Sequence, residues 1–321
     1  MLDLLSELSR LGHIARVTTL HARGFTAATL RAALRSGLVA RPRYGWIASP
    51  LADRDQLLAI EIGGRIACLS ALRRFGVWSG SDDGLHLGIP RTGSRLRTDS
   101  SGTGGANAGV WHPSVPESTR RGRTVRLASD APPRVHWSRE LAPHRALDWI
   151  VSPQTALATA VRCLAAEHAS AAIDSMLHLR VLTRPDVDAV LASLPNRTAA
   201  LVDDLTGSPE SGVESLFIRR VAGAGFHVVS QFRLAEFGRY DGIIDGCVLF
   251  EVDGRGFHSG AEEFFNDRDR TLVGQAYGIP VVRPSARHVL ENWPTTLAAV
   301  ARTVADAKIV RRHRGLPPIA R

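Results

Sequence analysis

The chain has 321 residues, 44% of them hydrophobic, and carries a formal net charge of +9. That hydrophobic share can fill more than one core, so roughly two or three domains are expected. No uncharged apolar run reaches the ~18 residues of a membrane span, and the acid-containing N-terminus does not read as a signal peptide, so no membrane association is expected. Of 40 basic residues only Lys308 is lysine. Arginine gives planar, bidentate contacts to phosphate and cannot act as a general base. Cys68, Cys163 and Cys247 lie far apart without C-x-x-C spacing, which argues against a zinc site or disulfide framework and fits a reducing cytoplasm.

In chain order, Leu2, Leu4, Leu5, Leu8 and Leu11 give a helical face stopped by Gly12. A short helix is expected over 16–22. After the turn at Gly24, Thr26 caps a helix that runs to Ser36. Gly37 ends it, and LVARPRYGWIAS reads as two strands turned at Arg43-Tyr44-Gly45. Helix, helix, turn, helix and wing are the parts of a winged helix-turn-helix, assigned to 1–52.

The segment 53–205 reads as a mostly helical middle. Leu57–Phe75 is expected to be one helix, LHLGIP a strand, and 91–125, rich in Gly, Ser, Thr and Arg, a long flexible loop. Further helices are expected at about 153–166, 168–178 and 184–193. From 206 to 306 the expected order is α-β-β-β-α-β, followed by a mostly helical stretch over 286–305 around Pro294. The helix between the last two strands is expected over 261–277. The tail 307–321 is basic and reads as an exposed end. The class is α/β and multi-domain.

Chemistry concentrates in RYDGIIDGCVLFEVDGRGFH. Asp241 opens one apolar segment and Glu251-Val252-Asp253 closes the next. If the two segments form a hairpin, their carboxylates converge and require a cation. Hard oxygen donors with room for water suit Mg²⁺, and Mn²⁺ can substitute. Asp245 competes with Asp241, but Asp245-Gly246 reads better as the hairpin turn. Glu251 follows Val248-Leu249-Phe250, where an acid is costly unless it has a partner. His258 either caps a following helix or acts near neutral pH. Asp267 and Arg270 read either as an i, i+3 ion pair or, for Arg270, as a group facing the scissile phosphate.

The helix glutamate, hairpin aspartate and strand E-x-D pattern, with EVDGRGFH and Asp267-Arg268-Asp269-Arg270, resembles the PD-(D/E)xK nuclease superfamily. Within it, the pattern is similar to the branch of very-short-patch-repair endonucleases. The resemblance covers about 95 residues, from Ser211 to Val304. It implies a restriction-endonuclease-like core in which Glu214, Asp241 and Glu251 hold the metal with the carbonyl of Val252. Where the superfamily has lysine, this chain has Asp253, so Asp253 or His258 would handle the proton of the attacking water.

GHIARVTTLHARGFTAATLRAALRSGLVARPRYGWIAS resembles the winged-helix domain of AbiEi-type antitoxins. That resemblance implies duplex-DNA contacts from Arg31 and Arg35 on the recognition helix, and from Arg41 and Arg43 with Tyr44 on the wing. The expected function is a cytoplasmic, Mg²⁺-dependent DNA endonuclease in a defence, repair or toxin–antitoxin-like setting. The rival is a non-catalytic regulator or antitoxin on a degenerate nuclease fold. A third reading is a toxin acting on RNA. Association with a second copy or a partner protein is left open.

Overall fold

Leu4, Leu8 and Leu11 recur at helical spacing, and α1 (Leu4–Arg10) turns them inward behind Asp3, whose carboxylate accepts the Leu5 N–H. The computed structural model describes residues 3–92, 133–138, 141–145, 147–194, 209–234, 238–253 and 278–319. After α2 (Val17–Ala22), Thr26 caps α3 (Ala27–Arg35) through the Thr29 N–H at 3.1 Å. Leu20, Phe25, Leu30 and Ile47 close the N-terminal core over α1. The hairpin expected between 38 and 49 is built differently. Here β2 (Trp46–Ala48) pairs antiparallel with β1 (Ile14–Arg16), and Ala40 adds a single bridge to Ala48. A three-residue strand carries too little alternation to be read from sequence.

The helix expected over Leu57–Phe75 is interrupted. α4 (Arg54–Ile62) ends at Gly63, whose φ of +103° is a left-handed cap, and β3 (Arg65–Ile66) precedes α5 (Cys68–Arg74). β3 enters a five-stranded sheet with β4 (His86–Pro90), β5 (Arg134–Ser138), β6 (Pro143–His144) and β7 (Leu147–Val151), in the order β5-β4-β3-β7-β6. The pairs β3/β7 and β4/β5 are parallel, the others antiparallel. Among its described residues the middle segment therefore holds a five-stranded sheet that was not expected, beside five helices. Its strands are short, and β4 is buried along nearly its whole length, so they show no clean period of two. Arg65 ties this sheet together by donating to the carbonyls of Asp148 and Leu141, both at 2.7 Å. α6 (Pro153–Cys163), α7 (Ala166–His178) and α8 (Arg184–Ala192) follow close to their expected positions.

Two compact units result, one of residues 1–163 with 189–194 and the other of 164–188 with 195–321. Trp149 of β7 donates its indole N–H to the Leu11 carbonyl at 2.9 Å, so the N-terminal helices and the five-stranded sheet share a unit.

The second unit contains α9 (Gly212–Gly223), β8 (Val228–Arg233), β9 (Arg239–Ile244), β10 (Val248–Phe250), β11 (Val281–Val282), α10 (Ala286–Glu291) and α11 (Trp293–His313). Its sheet runs β11-β10-β9-β8, with β10 and β11 parallel and the other neighbours antiparallel. Asp245 and Gly246 hold φ of 49° and 61°, the left-handed pair that a tight hairpin turn needs. Lys308 pairs with Asp245 at 2.7 Å, so the single lysine serves this turn. Phe217 of α9 packs against Phe250 at 5.0 Å and meets Trp293 edge-on at 6.1 Å. Buried Asp174 of α7 accepts from Ser215 at 2.7 Å and Arg219 at 2.9 Å, which fastens α7 to α9. The tail does not stay free, because Ile319 donates its N–H to Gly246 O at 2.8 Å. The helix expected over 261–277 and residues 93–125 of the expected loop lie outside the described residues.

A Cβ at Gly242 would stand 2.4 Å from the Val229 carbonyl oxygen and 2.5 Å from the Phe250 ring. Gly242→Ala is expected to cost about 1–3 kcal/mol by overpacking. This appears as a lower urea midpoint at unchanged m-value; an unaltered midpoint contradicts the β9/β10 register.

Candidate functional site

Ser211 caps α9 by accepting the Glu214 N–H at 3.1 Å, which puts Glu214 in the first helical turn. The residue is only 2% exposed. Its Oε2 accepts the Glu210 N–H at 2.7 Å and its Oε1 accepts from Gln231 Nε2 at 2.9 Å. Burial, and then the charge of Asp241, push its carboxyl up to about 8 against those hydrogen bonds. Desolvation outweighs the helix N-terminus here, and Glu214 is mostly protonated at neutral pH.

The pairing of Gly242 with Phe250 sets Asp241 on β9 beside Glu251, the residue that follows β10. Asp241 Oδ2 accepts the Val252 N–H at 2.7 Å. Val252, expected to offer its carbonyl, makes this contact through its amide. Glu251 is 6% exposed and pairs with Arg283 Nη1 at 3.3 Å. The other arm of Arg283 reaches Asp253 Oδ1, also at 3.3 Å. One guanidinium from the strand next to β10 thus bridges both acids of the E-x-D pattern.

β8 leaves its ladder opposite Asp241. Ser230 pairs with Gly242 and Phe232 with Tyr240, while Gln231 between them holds φ of +53°. That left-handed backbone at a non-glycine residue is strained, and it accompanies the contact from the Gln231 amide to Glu214. Gln231 Oε1 is buried with no hydrogen-bond partner among the described residues. Sequence reasoning missed Gln231, because a polar strand residue is ordinary, and it noted Arg283 at the end of a strand in the family-like pattern without giving it a role.

Glu214, Asp241, Glu251 and Asp253 therefore gather at one region of the second unit, while His258, Asp267 and Arg270 lie outside the described residues. Among the described residues, the set of His, Cys, Asp or Glu donors drawn close enough to share an ion is not these acids. It is Cys68, His86, His136 and Cys163, in the first unit. Cysteine spacing pointed away from a metal site; the fold nevertheless brings these residues, far apart in sequence, close enough that they could hold an ion.

Arg31 and Arg35 are exposed one turn apart on α3, and Arg41 is exposed beyond it. Arg43 is turned inward and donates to the Glu61 carbonyl at 2.9 Å, capping the end of α4. It is the least available of the four expected DNA contacts. Tyr44 beside it is 91% exposed. No helix among the described residues is long and apolar enough to cross a membrane. Comparison with protein-family models and with curated proteins gives no match to this chain.

The raised pKa of Glu214 has a definite consequence for stability. Between about 4.5 and about 8 the folded, metal-free protein keeps a proton that the unfolded chain releases. Folding stability contributed by this group is thus full below about 4.5 and is lost as pH rises through about 8. Urea unfolding in EDTA should show this decline, and Glu214→Gln should flatten it. An identical pH slope in the variant contradicts the burial assigned to Glu214.

Proposed function

We propose that the protein is a Mg²⁺-dependent DNA endonuclease with a PD-(D/E)xK-like domain, and that its N-terminal winged helix-turn-helix docks on duplex DNA. The observation that supports this reading is that buried Glu214, Asp241 and buried Glu251 lie around the start of β9 and the end of β10; their oxygens do not all fall within 4.8 Å of one another, so an ion would have to draw them in. Acids buried together are costly and are retained where they have a task.

The donor set is compatible with a hard, hydrated cation. All side-chain donors are oxygens, and the orphaned Gln231 Oε1 beside Glu214 can accept from a metal-bound water. Glu214, Asp241 and Glu251, with the Val252 carbonyl, would hold the ion; Mn²⁺ would substitute. Such an ion lowers the pKa of bound water and offsets charge on the phosphorane. Asp253, with a half-exposed side chain, is the described group able to take the proton of the attacking water. His258 is the alternative acceptor. Arg283 supplies the positive charge that a lysine would have given but cannot itself serve as a base. Arg31 and Arg35, with Arg41, would carry phosphate contacts. The setting proposed is cytoplasmic.

A second reading has one observation in its favour. Arg283 already compensates Glu251 and Asp253, so the acid pair is balanced without an ion. On that reading the protein is a DNA-binding regulator or antitoxin.

Plasmid cutting that requires Mg²⁺ or Mn²⁺ decides between them. Glu251→Ala is expected to lose at least ~100-fold in cleavage rate while still binding DNA. Tight DNA binding with no cutting under either ion gives the regulator. Replacing both Arg31 and Arg35 by alanine should weaken binding across sequences and reduce the salt slope by about 2. An unchanged slope removes these arginines from the interface.

A further inference from the structure

We infer that Cys68, His86, His136 and Cys163 form a closed, tetrahedral zinc site in the first unit, a site separate from the carboxylates proposed for Mg²⁺. The four ligating atoms all lie within 4.8 Å of one another. His86 Nδ1 stands 3.0 Å from His136 Nε2 and 3.8 Å from Cys163 Sγ. Zinc–nitrogen and zinc–sulfur bonds at tetrahedral angles put N and N about 3.4 Å apart and N and S about 3.6 Å apart. The observed spacings lie within about 0.4 Å of those values.

The outer contacts fix which atoms face inward. Asp82 Oδ1 accepts the Gly84 N–H at 2.9 Å, and this holds the Asp82 carboxylate in place. Its Oδ2 lies 3.2 Å from His86 Nε2 and accepts the N–H of that nitrogen. Nδ1 of His86 is then a bare lone pair aimed at Cys163 and His136, the carboxylate–histidine arrangement that supports a metal ligand. Arg134 Nη1 approaches Cys163 Sγ at 3.5 Å, a donor suited to a thiolate. Cys68, fully buried, opens α5 with φ of +49°, a strained backbone for a residue with a side chain.

Two thiols and two imidazoles form the soft, mixed donor set that selects zinc over magnesium or calcium. A two-iron cluster would divide these donors between separate metals and set the pairs farther apart than they are. Four protein ligands leave no open position, so the site is structural and not catalytic. The ion would tie the start of α5, β4, β5 and the end of α6 together. β4 and β5 are separated in sequence by residues 91–133, and closing so long a connection is where a cross-link constrains the unfolded chain most.

The test uses the full chain, purified under reducing conditions without chelator from zinc-supplemented cells. Elemental analysis should find one zinc per chain, and cobalt exchange should give the intense visible bands of tetrahedral thiolate coordination. Cys163→Ala and His136→Gln, both at half-buried positions, should lose the metal, whereas Glu251→Ala should keep it. Stripping zinc should lower the melting temperature by on the order of 10 °C. Should either variant fail to fold, the cobalt spectrum of the wild type decides alone. Wild-type protein without stoichiometric zinc and without thiolate bands on cobalt addition overturns the site. So does a Cys68–Cys163 disulfide, detected by mass after alkylation in freshly opened cells.

Discussion

Two buried carboxyls, Glu214 and Glu251, constrain the backbone around the start of β9 and the end of β10. Taking them from water is expensive, and well-packed apolar residues would avoid that expense. The surrounding backbone is arranged around the cost. Ser211 starts α9 so that Glu214 falls in the first turn, where the helix end favours negative charge. Gln231 adopts a strained φ and turns its amide to the same carboxyl. Arg283, at the end of β11, reaches across to Glu251. These devices reduce the penalty without removing it, because Glu214 still prefers its proton at neutral pH. A sheet that accepts a strained residue and a high-pKa acid at the same point is specialised there, and no feature of the hydrophobic core calls for it.

Features that depend on one residue's local chemistry were legible in the sequence. Asp245-Gly246 reads as a turn because both positions need left-handed backbone, and Thr26 reads as a cap because its hydroxyl can satisfy an amide three residues on. Glu251 stands out because an acid follows three apolar strand residues. Features that depend on distant pairing were not legible. β3 has two residues and β6 two, and both exist because neighbouring strands hold them. Arg283 gains its role from partners about 30 residues earlier in the chain. The Cys/His cluster draws from a helix start, two strands and a helix end, so no window of sequence contains it.

The near-absence of lysine sharpens the question of how acids are balanced. Lys308 is committed to Asp245 at the hairpin turn, away from the E-x-D pattern. Arg283 stands near the place where a motif lysine would act, but its fork spans two carboxylates and does not present a single point charge. It can hold Glu251 and Asp253 in fixed relation and supply positive potential. It cannot release a proton near neutral pH. Any hydrolysis at this site therefore passes the proton of the attacking water to a carboxylate or to an imidazole.

The two proposed ion sites differ in a way that lets both fill correctly in one chain. Zinc outranks magnesium at almost any donor set by intrinsic affinity, so carboxylates alone would not keep it out. A closed site of two thiolates and two imidazoles takes zinc far more tightly than three oxygens and holds it without an exchangeable position. The proposed oxygen site would then be left to the abundant hard cation, which keeps several of its waters when bound. Glu214 adds a further selection. Its raised carboxyl pKa means that an ion held there would compete with a proton, so binding at the proposed site would weaken as pH falls. The soft site would then be a permanent part of the fold, and the hard site would fill when the chemistry is needed.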